Sequence, residues 1–286
     1  ALGCSCGRYR IAGFMRVFTF IGEKLLNVAQ GLGEMLALLC ETVYYFKEAP
    51  RNLTSIFRQM SVIGIGTLPI AMLVALFVGM VLSVQTGSEL ALYGTQEAIG
   101  AIVGMSMVKE LGPVMTSLLV AGRIGSAMAA EVGPMQVYEE IDALKTLEIS
   151  PVRYLAMPRL IACLLVVPAL VVFSIIVGVI GGGVVADVNP RIDVPFTVYY
   201  DNMIRALNYK EIFKGLLKAM VFGGIIAHVG CYVGFKTTGG ARGIGESTTR
   251  SVVLSFLLIM VANYLLTRFM LLRLFMASGT NLKKDT

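Results

Sequence analysis

Hydrophobic residues run through this chain in five long blocks with short polar connections between them. The blocks cover about Met60 to Val84, Ala98 to Ala130, Ile161 to Ala186, Ile212 to Phe235 and Ser251 to Phe275. Each reaches the roughly 18 to 20 residues that a helix needs to cross the hydrocarbon layer. Residues 14–48 carry a different pattern. Phe14, Val17, Phe18, Ile21, Leu25 and Val28 recur at three- and four-residue steps, and Met35, Leu36, Leu39, Val43 and Phe46 continue it beyond Gly31 and Gly33. That spacing predicts one or two amphipathic helices lying in the membrane interface, with a soluble helix pair as the alternative.

Two features interrupt the blocks. Gly112-Pro113 falls inside the second, where proline removes a donor and crowds the preceding turn, so a kink or break is expected there. Residues 187–211 read as a loop between the third and fourth blocks. The segment Gln136 to Ile149, between the second and third, predicts a short amphipathic helix with Val137, Ile141, Leu144 and Leu147 or Glu148 on one side. Glu139, Glu140 and Asp142 stand near its start, where the helix dipole favours negative charge, and Ser150-Pro151 ends it. Such a helix suits a groove on a cytoplasmic partner; an ordinary interfacial loop helix fits the pattern equally.

Composition agrees with the blocks. Hydrophobic residues make up 56% of the 286 and charged residues 15%, against about 25% charged in soluble domains, and the mean hydropathy is +0.78. The chain is therefore read as an all-α, polytopic integral membrane protein. Its net charge of +6 is assigned to Lys and Arg at helix ends beside anionic headgroups rather than to nucleic acid. With the N-terminus inside, about 15 basic residues fall in cytoplasmic segments and about 9 outside. The five cysteines are scattered, so neither a disulfide framework nor a zinc spacing emerges. No apolar segment with the form of a cleavable signal precedes the first block.

Charges inside the blocks are the candidates for function, because an ion in hydrocarbon normally faces a bundle interior, a partner or a cavity. Lys109, Glu110 and Arg123 lie in the second block and Glu131 stands at its end. Glu110 is the foremost, with Lys218 on the fourth block as the expected counter-ion; Lys109, its neighbour in sequence, points elsewhere. A structural ion pair that fixes helix register is the competing account. Asn263 and Tyr264 on the fifth block suit interhelical hydrogen bonding or substrate contact, and Gln85 suits a headgroup contact or a helix cap. Gly178-x-x-x-Gly182 and Gly230-x-x-x-Gly234 permit close helix approach. Ser126 and the single histidine, His228, would be the parts of an intramembrane hydrolase. The glycine-rich stretch Gly239 to Gly245 lacks the ending of a Walker A motif, so no ATPase is expected in this chain.

Several ordered blocks carry a resemblance. They are Lys109-Glu110-Leu111-Gly112-Pro113-Val114, Ala121-Gly122-Arg123-Ile124-Gly125-Ser126-Ala127, Ala130-Glu131-Val132-Gly133 and Glu139-Glu140-Ile141-Asp142-Ala143-Leu144. Ile149-Ser150-Pro151, Pro158-Arg159 and Thr248-Thr249-Arg250-Ser251-Val252-Val253 follow in order. Over about residues 20–275 the chain resembles the MlaE-type permeases, membrane subunits of lipid ABC transporters that work with MCE-domain proteins. The resemblance implies five spans, N-terminal interfacial helices and a homodimer. It implies an ABC ATPase, holding ATP and Mg2+, docked on the coupling helix (Glu139, Glu140, Ile141, Asp142, Leu144). An MCE-domain assembly would stand on the outer face, with a STAS-domain protein as a further accessory, and the chain itself would hold no cofactor or metal. The substrate implied is phospholipid, moved between inner membrane and outer envelope, through an apolar dimer cavity for which Leu76, Met80, Leu257 and Met260 are the candidate linings. Some relatives carry an acidic residue where Asn263 stands. The division expected is 1–58 interfacial helices, 59–276 permease domain and 277–286 polar tail. The location implied is a bacterial inner membrane, or else a plastid inner envelope. The rivals to a permease are an intramembrane hydrolase and a non-transporting scaffold for MCE proteins.

Overall fold

The structure is a computed structural model. It describes residues 23, 26 and 29–282, with the side chains of 49, 51 and 273–282 set aside. The expected amphipathic stretch at residues 14–22 lies outside the described residues. Among those described there is no strand, and five helices are long and apolar enough to cross a membrane.

Helix α1 (29–44) leads through a tight 3-10 turn, Tyr45–Asn52, into α2, Leu53–Leu92. The second span, α3, runs Gln96–Val137, and the short α4 covers Glu140–Thr146. Span α5 is Val152–Val188, α6 is Phe196–Ala206, α7 is Tyr209–Phe235 and α8 is Gly240–Leu282. Four of the five helices extend well past the apolar blocks into polar sequence. Backbone hydrogen bonding continues wherever no breaker stops it, while hydropathy marks only the part suited to lipid.

Helix α5 is central. It packs along α2 on one side and α7 on the other, and α8 packs on α7 and on the Ala121–Val137 half of α3. Glycine makes the α2–α5 contact close: a Cβ at Gly79 would overlap the carbonyl oxygen of Gly178, and one at Gly182 would sit 3.1 Å from the Gly79 carbonyl oxygen. One core cluster gathers Ile63, Val120, Ile124, Met128, Cys163, Val167, Phe222, Ile226 and Ile259 from all five spans. A second, at the other end, joins Ile99, Val103, Met107, Val179 and Ala186 to Ile192, Tyr199 and Met203.

That second cluster corrects the reading of 187–211 as a loop. Phe196–Ala206 is a helix, and Tyr199 and Met203, one turn apart, lie on its buried face. It lies against α3 at Gly100 and Gly104, and Asn202 Nδ2 donates to the Glu97 carbonyl at 2.8 Å. Burial raises the Tyr199 phenol well above its ordinary range.

Of the kink or break expected at Gly112-Pro113, the break does not occur. Helix α3 continues, but with a π turn at Met107–Leu111 in which the Gly112 N–H reaches back five residues to the Met107 carbonyl. A second π turn covers Ala121–Gly125. The extra residue in a π turn lets a helix pass a proline without breaking. The helix expected over 136–149 is shorter. Helix α3 runs on to Val137, Glu139 takes a left-handed conformation (φ 61°), and only Glu140–Thr146 is helical before Glu148 (φ 59°) turns the chain again.

Candidate intramembrane polar site

The π turn at Met107–Leu111 places Glu110 where α3, α7 and α8 meet. Lys218 Nζ on α7 lies 2.6 Å from Glu110 Oε1. It also donates to the Lys109 carbonyl at 3.1 Å and to Thr267 Oγ1 on α8 at 2.8 Å. Pro113 has no N–H to offer the carbonyl four residues before it, which is that of Lys109; the ammonium takes the donor's place. Asn263 Nδ2 donates to Glu110 Oε2 at 3.0 Å, and Thr267 Oγ1 is 3.1 Å from Glu110 Oε1. Lys109 turns away to Glu211 at 3.4 Å, and Glu211 also holds Lys214 at 2.7 Å. A cleft of about 110 Å3 opens beside the cluster, between α7 and α8.

The site is asymmetric. The Lys218 side chain is 5% exposed and that of Glu110 41%. Every donor of the ammonium has a partner inside the protein, whereas the carboxylate also faces the cleft. Such an arrangement can hold a charge pair at membrane depth, and it ties three helices to one carboxylate. Thr267 went unread in the sequence. The signal was its place four residues after Asn263, one helical turn along the same face.

The other charges of α3 lie apart. Arg123, in the second π turn, donates from Nη1 to Thr67 Oγ1 on α2 at 2.8 Å and covers Gly66, where a Cβ would come within 2.6 Å of its Nη2. Glu131 pairs with Arg159 of α5 at 2.8 Å, and Arg159 also donates to the Leu155 carbonyl. Arg159 belongs to a sequence block that drew attention only through the resemblance. Gln85 is exposed on α2 and makes no side-chain hydrogen bond among the described residues.

On α4, Ile141 is buried against Val132 and Leu155, with Leu144 beside it. Glu139, Glu140 and Asp142 are exposed, and Asp142 pairs with Lys145 at 2.7 Å. Leu147 does not share a side with buried Ile141, as the spacing suggested; with Tyr138 and Tyr154 it is exposed. This end of the molecule thus exposes Tyr138, Leu147 and Tyr154 together with Glu139, Glu140 and Asp142. Nearby, α1 is held to α7: His228 Nε2 is 2.9 Å from the Met35 carbonyl, Tyr232 donates to the Gly31 carbonyl at 3.2 Å, and Lys236 pairs with Glu34.

The four cavity candidates separate. Leu76 and Met80 are half-buried against Gly181 of α5. Leu257 and Met260 are exposed on α8, where Leu257 borders a groove of about 690 Å3 with Arg242, Glu246 and Arg250. Helices α2 and α8 make no extended contact with one another, so the four do not line one cavity within a protomer. The hydrolase pair is not assembled either. Ser126 Oγ donates within its own helix, 2.6 Å from the Gly122 carbonyl, while His228 is engaged by α1.

Comparison with known proteins places this geometry. The family model described as Permease MlaE matches residues 56–269. A probable ABC transporter permease protein of Rickettsia felis is 36% identical over 253 residues, covering 88% of this chain and 97% of the relative. One from Synechocystis is 41% identical over 223 residues, covering 77% and 82%. The Arabidopsis thaliana chloroplastic protein TRIGALACTOSYLDIACYLGLYCEROL 1 is 38% identical over 226 residues, covering 79% and 63%. The matched region takes in most of each of the five spans, both π turns of α3 and the Glu110–Lys218–Asn263–Thr267 cluster, and the chain belongs to the MlaE family of ABC transporter permeases.

Proposed function

We propose that this chain is the membrane subunit of an ABC transporter that moves phospholipid between the inner membrane and the outer envelope. A separate ATPase chain supplies the energy, and an MCE-domain protein carries the lipid beyond the membrane. The observation that carries this reading is the two-sidedness of α8. Its inward side anchors the polar cluster through Asn263 and Thr267. Its outward side presents Val253, Leu257, Met260, Val261 and Leu265, all exposed among the described residues. An apolar stripe of that length is suited to lipid tails or to a second copy of the helix, and in a homodimer it would border an apolar path between the two.

Force would enter at α4. Exposed Glu139, Glu140 and Asp142, with exposed Leu147 and Tyr138 on the same segment, suit a groove with basic edges on the ATPase, and Ile141 anchors α4 to α3 and α5, so that a push on it moves the spans. The name of the Arabidopsis relative, built on a galactolipid, favours a lipid over a small polar solute.

The test is reconstitution of the chain with its ATPase in proteoliposomes that hold a fluorescent phospholipid. ATP-dependent transfer to an acceptor MCE protein is expected. ATP turnover without lipid movement, on a complex shown to be assembled, would remove the lipid reading.

A further inference from the structure

Two arginines at one end of the bundle face a single pocket. It has a volume of about 320 Å3 and lies between α2, α3 and α5, with Ser55, Arg58, Gln59, Glu131, Tyr154 and Arg159 in its wall. Arg159 is 7% exposed. Its Nη2 holds Glu131 and its Nη1 the Leu155 carbonyl, while its Nε is buried with no partner. Arg58, Ser55, Gln59 and the Tyr154 hydroxyl have no hydrogen bond or ion pair among the described residues. Two guanidinium groups against one carboxylate leave the pocket with net positive charge. Four neutral or cationic donors converge on it with nothing to bind.

The depth of the pocket is set by the sequence. On α2 the next charged residue after Arg58 is Glu89, and on α5 the next after Arg159 is Asp187. Both arginines are therefore the last charges before an uncharged membrane run. They stand at the headgroup level of the leaflet on the α4 side, where basic pockets between helices take lipid phosphates. Val62, also in the wall and exposed, begins the apolar part, as a site for headgroup above and acyl chain below would require.

We propose that this pocket binds the phosphate headgroup of an anionic membrane lipid. Arg58 and Arg159 hold the phosphate, and Ser55, Gln59 and Tyr154 donate to the remaining oxygens or to the headgroup alcohol. Glu131 keeps the Arg159 guanidinium facing the pocket and disfavours a second negative charge beside the first. The site stands whether or not the transporter exports that lipid.

The chain has no tryptophan, so one introduced tryptophan reports on its own surroundings. The full-length protein carrying Val62→Trp is reconstituted in phosphatidylcholine with increasing phosphatidylglycerol, one of the two brominated on its acyl chains. Quenching then gives the relative affinity of the two lipids at that point. A Phe173→Trp protein, with its reporter on the exposed face of α5, gives the value for ordinary boundary lipid. The expected preference for phosphatidylglycerol at position 62 is higher than at 173 by about fivefold for each arginine engaged, the factor equivalent to about 1 kcal/mol. Arg58→Gln, which disturbs no packing, should lower it about fivefold, and Arg159→Gln should lower it too where that variant folds. Equal preference at the two reporters, or a preference at 62 that Arg58→Gln leaves unchanged, overturns the site. Displacement of quenching by inorganic phosphate, without discrimination between the lipids, would also overturn it and assign the pocket to a soluble phosphate.

Discussion

Lys218 Nζ sits between Glu110 Oε1 at 2.6 Å and the Lys109 carbonyl oxygen at 3.1 Å. One ammonium therefore neutralises a carboxylate and satisfies the acceptor that Pro113 leaves unmet. The charge of α7 and the proline of α3 are parts of one arrangement, which explains how a Gly-Pro pair can sit in the middle of a continuous span.

The pair should behave asymmetrically. Glu110→Gln leaves a buried ammonium without a counter-ion, a change that costs about 3 to 5 kcal/mol at a fully buried site. Lys218→Met leaves a carboxylate that still faces the cleft, so its cost should be smaller. The double variant should recover part of the larger loss. Thermal unfolding of the four purified proteins in one detergent checks this, and strictly additive losses would show that the two charges are not coupled.

Pro113→Ala should weaken the hold on Lys218 from the other direction. An alanine N–H can bond to the Lys109 carbonyl, making one of the lysine's three contacts redundant. Lys218→Met should then cost about 1 kcal/mol less in the Pro113→Ala background than in the native one, the scale of one hydrogen bond. An unchanged cost would mean that the carbonyl contact contributes nothing.

Much of this was legible in the sequence, and the parts that were not have physical reasons. The five spans follow from long uncharged runs, and the Glu110–Lys218 contact from the rule that intramembrane charges find each other. Helix α6 was missed because its buried residues, Tyr199 and Met203, are interleaved with Asp201, Asn202 and Arg205, and loop length alone suggested irregular chain. The π turns leave no common residue signature: Met107–Leu111 precedes Pro113, whereas Ala121–Gly125 has no proline beside it. Helix α4 was overextended because Val137 and Leu147 keep the helical spacing, although the left-handed Glu139 and the turn at Glu148 cut the helix at each end. That Leu76 and Met80 are half-buried beside Gly181 could not be read from the sequence, because apolarity does not show whether a side chain faces lipid or a glycine of the next helix.

That glycine seam makes a stability prediction. At Gly79 even one methyl group would overlap the Gly178 carbonyl, a backbone atom that cannot rotate away. Gly79→Ala should cost about 1 to 3 kcal/mol through overpacking. Gly245 on α8 has open space where a Cβ would stand, so Gly245→Ala should be neutral or stabilising by up to about 1 kcal/mol. Comparison of the two melting temperatures tests the seam, and equal effects would contradict it.

Helix α4 separates two kinds of residue that the sequence placed together. Glu139 and Glu140 are exposed, whereas Ile141 is buried. Reversal of both charges to lysine should leave yield and melting temperature of the permease near native while co-purification of the ATPase falls. Ile141→Asp should lower the melting temperature itself, because a carboxylate placed against Val132 and Leu155 has no partner. Native ATPase recovery with the lysine pair would place the docking surface elsewhere.

The lipid path should be found on α8 rather than on α2 at the positions first considered. Leu257 is 61% and Met260 49% exposed, while Leu76 and Met80 pack on Gly181. Photo-crosslinking side chains at 257 and 260 should therefore capture lipid in membranes, and those at 76 and 80 should capture mainly α5. Bulk lipid labels any exposed position, so the decisive comparison is with Phe173, exposed on α5 away from α8. ATP turnover by the assembled transporter should change lipid labelling at 257 and 260 and leave that at 173 constant, because only a transport path alternates between open and closed. A charged residue at 257 should block transfer, since an acyl chain cannot compensate a desolvated ion, while Leu257→Met should be tolerated. If labelling at 257 and 260 follows that at 173 under turnover, this face of α8 meets only bulk lipid or a static neighbour, and the path lies on another helix.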